Sequence, residues 1–316
     1  MNLIFMGTPA FAIPSFEALV KSKHKLITVV TQTDKPVGRK REPCAPPVKD
    51  AAIRFGIPII QPEKVNDKSV VDQLAKLGPD IIVTVAFGQK ISPKILNLPR
   101  YKCINIHASL LPKYRGAAPI NWAIIRGDEE TGVTSMVMRE EMDAGEVILQ
   151  KSIRIEPNET AGNLGNRLSA LGAELLIETL DQFDRGTIQY TQQDENLVTY
   201  APKLKKKDGL IDWNRNTKEI HDFVRGMNPW PAAYATLVNG SKKERVIILE
   251  TEKDILHTIN RIKRAGTVID VSDYGIKIAT KDGCIWVTEI KPEGKRKMNA
   301  AAFSRGHDIK TGSLFG

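Results

Sequence analysis

Residues 81–87 read Ile-Ile-Val-Thr-Val-Ala-Phe, a run rich in β-branched side chains with almost no polar position. A half-exposed strand alternates apolar and polar residues, so a run of this kind fits where both faces of the strand are covered. Shorter runs of similar character occur at 2–6, 26–31 and 57–60. Between them lie stretches of helical period. Residues 15–22 put Phe16, Leu19 and Val20 on one side, 48–55 end at Gly56, and 69–77 end at Gly78. Strand and helix in alternation predict an open, mostly parallel, Rossmann-like sheet with helices on both faces. The first turn, Gly7-Thr8-Pro9-Ala10-Phe11-Ala12, has one glycine where a dinucleotide fingerprint needs three. The nicotinamide-cofactor reading is therefore weak.

Further on, residues 161–184 place Leu164, Leu168, Leu171, Leu175 and Leu180 at helical spacing, with Thr160 as N-cap and Gly186 past the end. The leucine stripe is a core face. Lys203-Leu204-Lys205-Lys206-Lys207-Asp208-Gly209 reads as a boundary, predicting one domain over 1–203 and another over 204–316. The second domain opens with a helix carrying Ile220, Phe223, Val224 and Met227, stopped by Asn228-Pro229-Trp230-Pro231. Strand candidates at 266–271, 276–280 and 284–290, joined by Asp- and Gly-containing turns, predict a small OB-like β-barrel.

Charge divides unevenly between these parts. The chain holds 46 Lys and Arg against 37 Asp and Glu, yet 22 basic and 14 acidic residues fall from Lys203 onward. The stretch from Lys203 onward therefore carries +8 of the total +9. Such asymmetry fits contact with a polyanion, and equally a solvated basic surface. No apolar stretch approaches the roughly 20 residues of a membrane span, and the amino end reads as a strand and not a signal peptide. Cys44, Cys103 and Cys284 are odd in number and far apart, which argues against a disulfide framework or a zinc site and predicts a reducing cytoplasm.

The sharpest local feature is Cys103-Ile104-Asn105-Ile106-His107, followed by Ala108-Ser109-Leu110-Leu111-Pro112. In a strand, residues i and i+2 share a face, so Asn105 and His107 project side by side near its carboxyl end. Open α/β sheets build their sites there. An amide donor beside an imidazole suits a carbonyl whose oxygen becomes negative under attack. An isolated Asn-x-His also describes two side chains that merely satisfy buried backbone groups. A carboxylate to orient the imidazole is offered by Asp143, ahead of Ala144-Gly145 in a tight turn, where an ordinary turn aspartate would also sit.

Several runs occur together in order: Asn105, His107, Ser109-Leu110-Leu111-Pro112, Tyr114-Arg115-Gly116-Ala117-Ala118-Pro119-Ile120 and Asp143-Ala144-Gly145. To these are added Phe5-Met6-Gly7-Thr8-Pro9, Thr31-Gln32-Thr33-Asp34-Lys35-Pro36-Val37-Gly38-Arg39, Ile211-Asp212-Trp213 and Asn228-Pro229-Trp230-Pro231. In this combination the chain resembles the folate-dependent formyltransferases across almost its whole length, and among them those acting on aminoacylated tRNA. Two features depart from the pattern: Thr33 stands where proline is common, and Arg139-Glu140-Glu141-Met142 precedes Asp143, where Gly-Leu is more usual just ahead of the aspartate.

The resemblance implies 10-formyltetrahydrofolate as co-substrate, initiator methionyl-tRNA as acceptor, and no metal. It implies Asn105, His107 and Asp143 as the catalytic residues. The folate is expected beside Ser109, Leu110, Leu111 and Pro112 and the strand end at Phe87 and Gly88, held largely by backbone groups and apolar walls. The basic loop with Arg39, Lys40 and Arg41 is expected at the tRNA acceptor end. The cluster Lys295, Arg296 and Lys297 is expected to hold tRNA from the second domain, and the protein is expected to be a monomer. Two other functions are compatible with parts of the pattern: formylation of an amino sugar nucleotide, and RNA binding by a catalytically inactive relative. The basic loop and the +8 from Lys203 onward favour tRNA over a sugar nucleotide, and the intact Asn105, His107 and Asp143 speak against inactivity.

Overall fold

The computed structural model describes residues 1–37, 42–239, 242–254 and 264–316, and the chain divides into two compact units. One comprises Met1–Pro119, Glu130–Ile153 and Gly165–Ala201; the other comprises Ile120–Glu129, Arg154–Leu164 and Pro202–Gly316. The chain begins with β1 (Asn2–Gly7), α1 (Ile13–Lys21), β2 (Lys25–Val30), β3 (Lys35–Val37), β4 (Glu42–Cys44), α2 (Pro47–Arg54) and β5 (Ile59–Ile60). It continues through α3 (Lys68–Lys76), β6 (Ile81–Val85), α4 (Pro93–Leu96), β7 (Lys102–His107), β8 (Arg115–Gly116) and α5 (Pro119–Ile125). Then follow β9 (Glu130–Val137), β10 (Val147–Arg154), α6 (Ala161–Arg185) and β11 (Tyr200–Ala201).

The first unit is built on a seven-stranded sheet in the order β10-β9-β7-β6-β1-β2-β5. Strands β7, β6, β1, β2 and β5 are parallel, and β9 runs against β7. Alternate side chains serve opposite layers. Leu3, Phe5, Ile81, Val83, Ile104 and Ile106 pack with Phe16, Ala51 and Leu176 of α1, α2 and α6. Ile4, Met6, Ile82 and Cys103 pack on the other face with Leu74 of α3 and Ile95 of α4. Burying each large apolar side chain contributes about 1.5–3 kcal/mol relative to exposure. Both faces are consumed in this way, so a slip of one residue in any central strand would exchange its two layers.

The Rossmann-like sheet read from the sequence is therefore the one observed. Helix α6 also begins and ends as its sequence indicates: the Thr160 hydroxyl accepts from Asn163 N at 3.2 Å, and Gly186 takes φ +65° beyond the last turn. Two details differ. The strand read over 81–87 stops at Val85, because Ala86 turns the chain with φ +47°. The stretch before Pro47, read as a loop, contains the antiparallel pair β3–β4, with Lys35 opposite Cys44. Its strands have three residues each and include prolines, which leaves no alternation for a sequence pattern to register.

The second unit contains α7 (Thr217–Met227), β12 (Ala233–Asn239), β13 (Lys242–Asp254), β14 (Val268–Val271) and β15 (Ile276–Ala279). It ends with β16 (Cys284–Pro292), β17 (Met298–Asn299), α8 (Ala300–Gly306) and β18 (Leu314–Phe315). The antiparallel order is β14-β15-β16-β13-β12-β18, and Thr267 bridges to Leu314, bringing the last strand back toward the first. This nearly closed barrel is the OB-like architecture expected. Helix α7 is capped by Asn216, with Glu219 Oε2 accepting from Asn216 N at 2.9 Å, and buries Ile220, Val224 and Met227 against the barrel. Among the described residues no helix is long and apolar enough to cross a membrane.

Candidate active site

In the first unit the chain passes from β1 outward through β2 to β5 and then returns to lay β6 and β7 on the opposite side of β1. Such a reversal opens a crevice at the carboxyl ends of the strands. The loops flanking it are tied together there. Thr8 Oγ1 donates to the Phe87 carbonyl at 2.8 Å, and Gln32 Nε2 donates to the same oxygen at 3.0 Å. Gly88 takes φ +86°, and a β-carbon on it would lie 2.3 Å from Gln32 Nε2, so that turn accepts no larger residue without moving Gln32. Gly88 is exposed at the crevice, while the Phe87 ring is buried in the layer beneath β6.

Asn105 and His107 lie on the face of β7 opposite Ile104 and Ile106, as period two requires. The Asn105 carboxamide is half-buried and makes no hydrogen bond among the described residues. Thr84 stands opposite Asn105 in the β6–β7 register, and its buried hydroxyl also has no partner among the described residues. Two polar groups thus stand unspent at adjacent strand ends. Both groups are available to a ligand that enters the crevice.

His107 is differently situated. It is only 6% exposed, its Nε2 lies 3.0 Å from the Tyr114 carbonyl oxygen, and its Nδ1 lies 3.6 Å from Asp143 Oδ2. A carbonyl can only accept, so Nε2 carries a hydrogen. The ring thus has an acceptor beside each of its nitrogens. Asp143 Oδ2 also accepts from Gly116 N at 2.9 Å. Asp143 itself adopts φ +55°, the left-handed turn geometry that aspartate tolerates better than most residues. Gly145 follows where a β-carbon would lie 1.7 Å from the Val137 carbonyl oxygen, so the turn demands glycine there.

The segment holding Ser109, Leu110, Leu111 and Pro112 leads directly away from His107. Ser109 is fully buried and its hydroxyl donates to the Lys113 carbonyl at 2.6 Å. Each carbonyl of the four is engaged: by Thr134 Oγ1, Lys113 N, Gln150 Nε2 and Thr199 N respectively. The hydroxyl of Thr134 also receives Leu111 N at 3.1 Å. The segment is consequently a stiff wall, with Leu110 and Pro112 half-buried along it.

The structure therefore gathers Asn105, His107, Asp143, Phe87, Gly88 and residues 109–112 around the carboxyl ends of β6 and β7. Arg39, Lys40 and Arg41 lie outside the described residues. Lys295, Arg296 and Lys297 are exposed in the second unit between β16 and β17, with Lys297 Nζ 2.9 Å from Glu289 Oε1. All three cysteines are free, and burial pushes the Cys103 thiol up to about 12, well away from reactivity near neutral pH. Sequence reasoning passed over Thr84, the Tyr114 carbonyl and Gln193, whose amide reaches the Asp143 turn. Of these, only Tyr114 fell within a run that the sequence singled out for the resemblance.

Comparison with known proteins identifies the family. Residues 1–180 match the description "Formyl transferase" and residues 203–308 match "Formyl transferase, C-terminal domain". The chain is 44% identical to the methionyl-tRNA formyltransferase of Geotalea daltonii, over 100% of this chain and 98% of that protein. Among solved structures, HypX from Aquifex aeolicus in complex with tetrahydrofolic acid superposes with a TM-score of 0.62 at 20% identity, covering 96% of this chain and 47% of that one. WlaRD, a sugar 3N-formyl transferase, superposes with a TM-score of 0.64 at 19% identity, covering 94% and 99%. These two likenesses speak to the fold.

Proposed function

The chain belongs to the methionyl-tRNA formyltransferase family, and from that premise we propose how its residues move a formyl group from 10-formyltetrahydrofolate to the α-amino group of methionine on initiator tRNA. The observation that carries the assignment of roles is the unspent Asn105 carboxamide standing on one strand face with the His107–Asp143 pair.

A free α-amino group has a pKa near about 7.7–8.0, so a useful fraction is neutral and nucleophilic at pH 7. The folate co-substrate supplies the formyl carbon. Attack by the amine raises negative charge on the formyl oxygen and positive charge on the nitrogen. Asn105 donates its amide hydrogen to that oxygen, a contact that strengthens as the charge grows. His107 either stabilises the same charge or carries the proton of the new ammonium to the folate nitrogen, whose bond to the formyl carbon then breaks to release tetrahydrofolate. Asp143 holds the ring in orientation, and the Tyr114 carbonyl holds its other nitrogen. The site residues fit a folate bound along the crevice: the wall at residues 109–112 offers apolar surface, and Thr84 and Asn105 offer polar groups without partners among the described residues.

On this reading the basic loop at Arg39, Lys40 and Arg41 meets the acceptor end of the tRNA. Residues 204–316 form a second domain that holds the tRNA body, with Lys295, Arg296 and Lys297 among its phosphate contacts. The excess of +8 from Lys203 onward and the barrel architecture support that assignment. One chain supplies Asn105, His107 and Asp143, which supports action as a monomer. An aminoacylated tRNA substrate and free thiols support a cytoplasmic setting.

The test is whether the purified protein formylates methionyl initiator tRNA from 10-formyltetrahydrofolate, with free methionine and a dTDP-linked amino sugar as competing acceptors. Formylation of the sugar in preference to the tRNA would overturn the acceptor assignment.

A further inference from the structure

The Asp143 turn is held by a side chain from far along the sequence. Gln193 Nε2 donates to the Asp143 carbonyl and to the Gly145 carbonyl, each at 2.8 Å. Its Oε1 accepts from Arg115 Nε at 3.0 Å and from Arg115 Nη2 at 2.9 Å. The amide orientation is unambiguous, because carbonyls only accept and a guanidinium only donates. Arg115 is 2% exposed and is itself held by Glu195, with Nη2 2.8 Å from Oε1.

The residues around Arg115 converge on the same pair. The Tyr114 carbonyl takes the His107 Nε2 hydrogen, and Gly116 N donates to the Asp143 carboxylate. Asp143 sits at φ +55°, a conformation that an L-residue keeps only when its surroundings hold it there. Two hydrogen bonds from one amide, spanning the carbonyls on either side of Ala144, supply that hold. We propose that Gln193, locked by Arg115, is a positioning residue that fixes the Asp143 carboxylate against His107. This rests on the catalytic reading of Asp143 given above.

A purely architectural role for the Arg115–Gln193–Glu195 set predicts that its loss lowers stability and leaves turnover unchanged. The positioning role predicts the reverse. Gln193→Glu is the discriminating variant, since it keeps an oxygen for Arg115 and removes both donors to the turn. In the full-length protein it is expected to lower kcat by about 10–100-fold, on the scale of losses that follow a displacement of about 1 Å. KM for both substrates should stay within about twofold, and the thermal midpoint should stay close to wild type. Gln193→Leu, which also abandons Arg115, serves as a second variant and is expected to lose at least as much turnover.

The cycle with Asp143→Asn completes the test, because asparagine tolerates the left-handed turn while lacking the charge. In that background Gln193→Glu should change kcat by less than about threefold. An unchanged kcat in Gln193→Glu, or an equal loss with and without the Asp143 carboxylate, overturns the positioning role and leaves the catalytic reading intact. Wild-type kcat in Asp143→Asn overturns the catalytic reading itself, and the positioning role with it.

Discussion

His107 in the first unit and His221 in the second are both buried, at 6% and 3% exposure, and both rings have a partner at each nitrogen. The partners differ in kind. His221 Nδ1 meets the Thr251 hydroxyl at 3.0 Å and its Nε2 meets the Pro157 carbonyl at 3.3 Å, so the neutral ring is satisfied by one donor and one acceptor role. Burial pushes its pKa below the ordinary 6.5, and the Pro157 carbonyl opposes that only in part. His107 instead faces a carbonyl and a carboxylate, beside a carboxamide with no partner among the described residues. Burial alone therefore says little about a histidine's role. The charge of its partners, and the carboxamide beside it, are what the proposed catalytic role of His107 rests on.

The largest expected effect tests that separation directly. Asn105→Ala should lower kcat by about 10²–10³, the usual loss for one oxyanion donor, and should be strongly non-additive with His107→Ala. His221→Gln should leave kcat within about twofold. Steady-state formylation by folded variants decides this, and near wild-type turnover in Asn105→Ala or His107→Ala would erase the distinction. Next in size is Arg39→Ala, expected to reduce kcat/KM for methionyl-tRNA by about 10²-fold through mispositioning of the acceptor end, with folate affinity unchanged. Equal loss of folate binding would move that loop from tRNA to the first substrate.

A smaller effect is expected in the second unit. Reversing the charges of Lys295, Arg296 and Lys297 should weaken tRNA binding and flatten its salt dependence, each lost phosphate contact removing about 0.7–0.9 from the logarithmic slope. Because Lys297 already pairs with Glu289 at 2.9 Å, Lys295 and Arg296 should carry most of the change. Unchanged affinity and slope would remove the cluster from the interface.

The smallest effect concerns pH. With its folded pKa depressed, His221 is neutral in the fold, and unfolding lets it take up a proton below about pH 6.5. Its contribution to stability is complete above that value and is lost as pH falls through the depressed folded pKa. His24 in the first unit is shifted the same way, chiefly by burial, so wild type and His221→Gln must be compared. Thermal midpoints across pH 5–8 should fall less steeply on acidification in the variant.

Much of this molecule was legible before any coordinates. The alternation of covered strands and amphipathic helices defined the first sheet, and Thr160 and Gly186 marked both ends of α6, because apolar period and end-capping are properties of neighbouring residues. The shared face of Asn105 and His107 followed from period two alone. The β3–β4 hairpin escaped because its strands are too short for a period to register. The resemblance brought Asp143 into the candidate site, but its contact with His107, its hold by Gly116 N and the clamp by Gln193 and Arg115 depend on β7, β9 and the segment after α6 meeting at one sheet end. Strand order and loop packing bring such groups together, and no local pattern records which distant donor reaches which carbonyl. Sequence determined the elements and the candidate groups. Tertiary structure decided which distant groups meet and which hydrogen bonds they form within the protein.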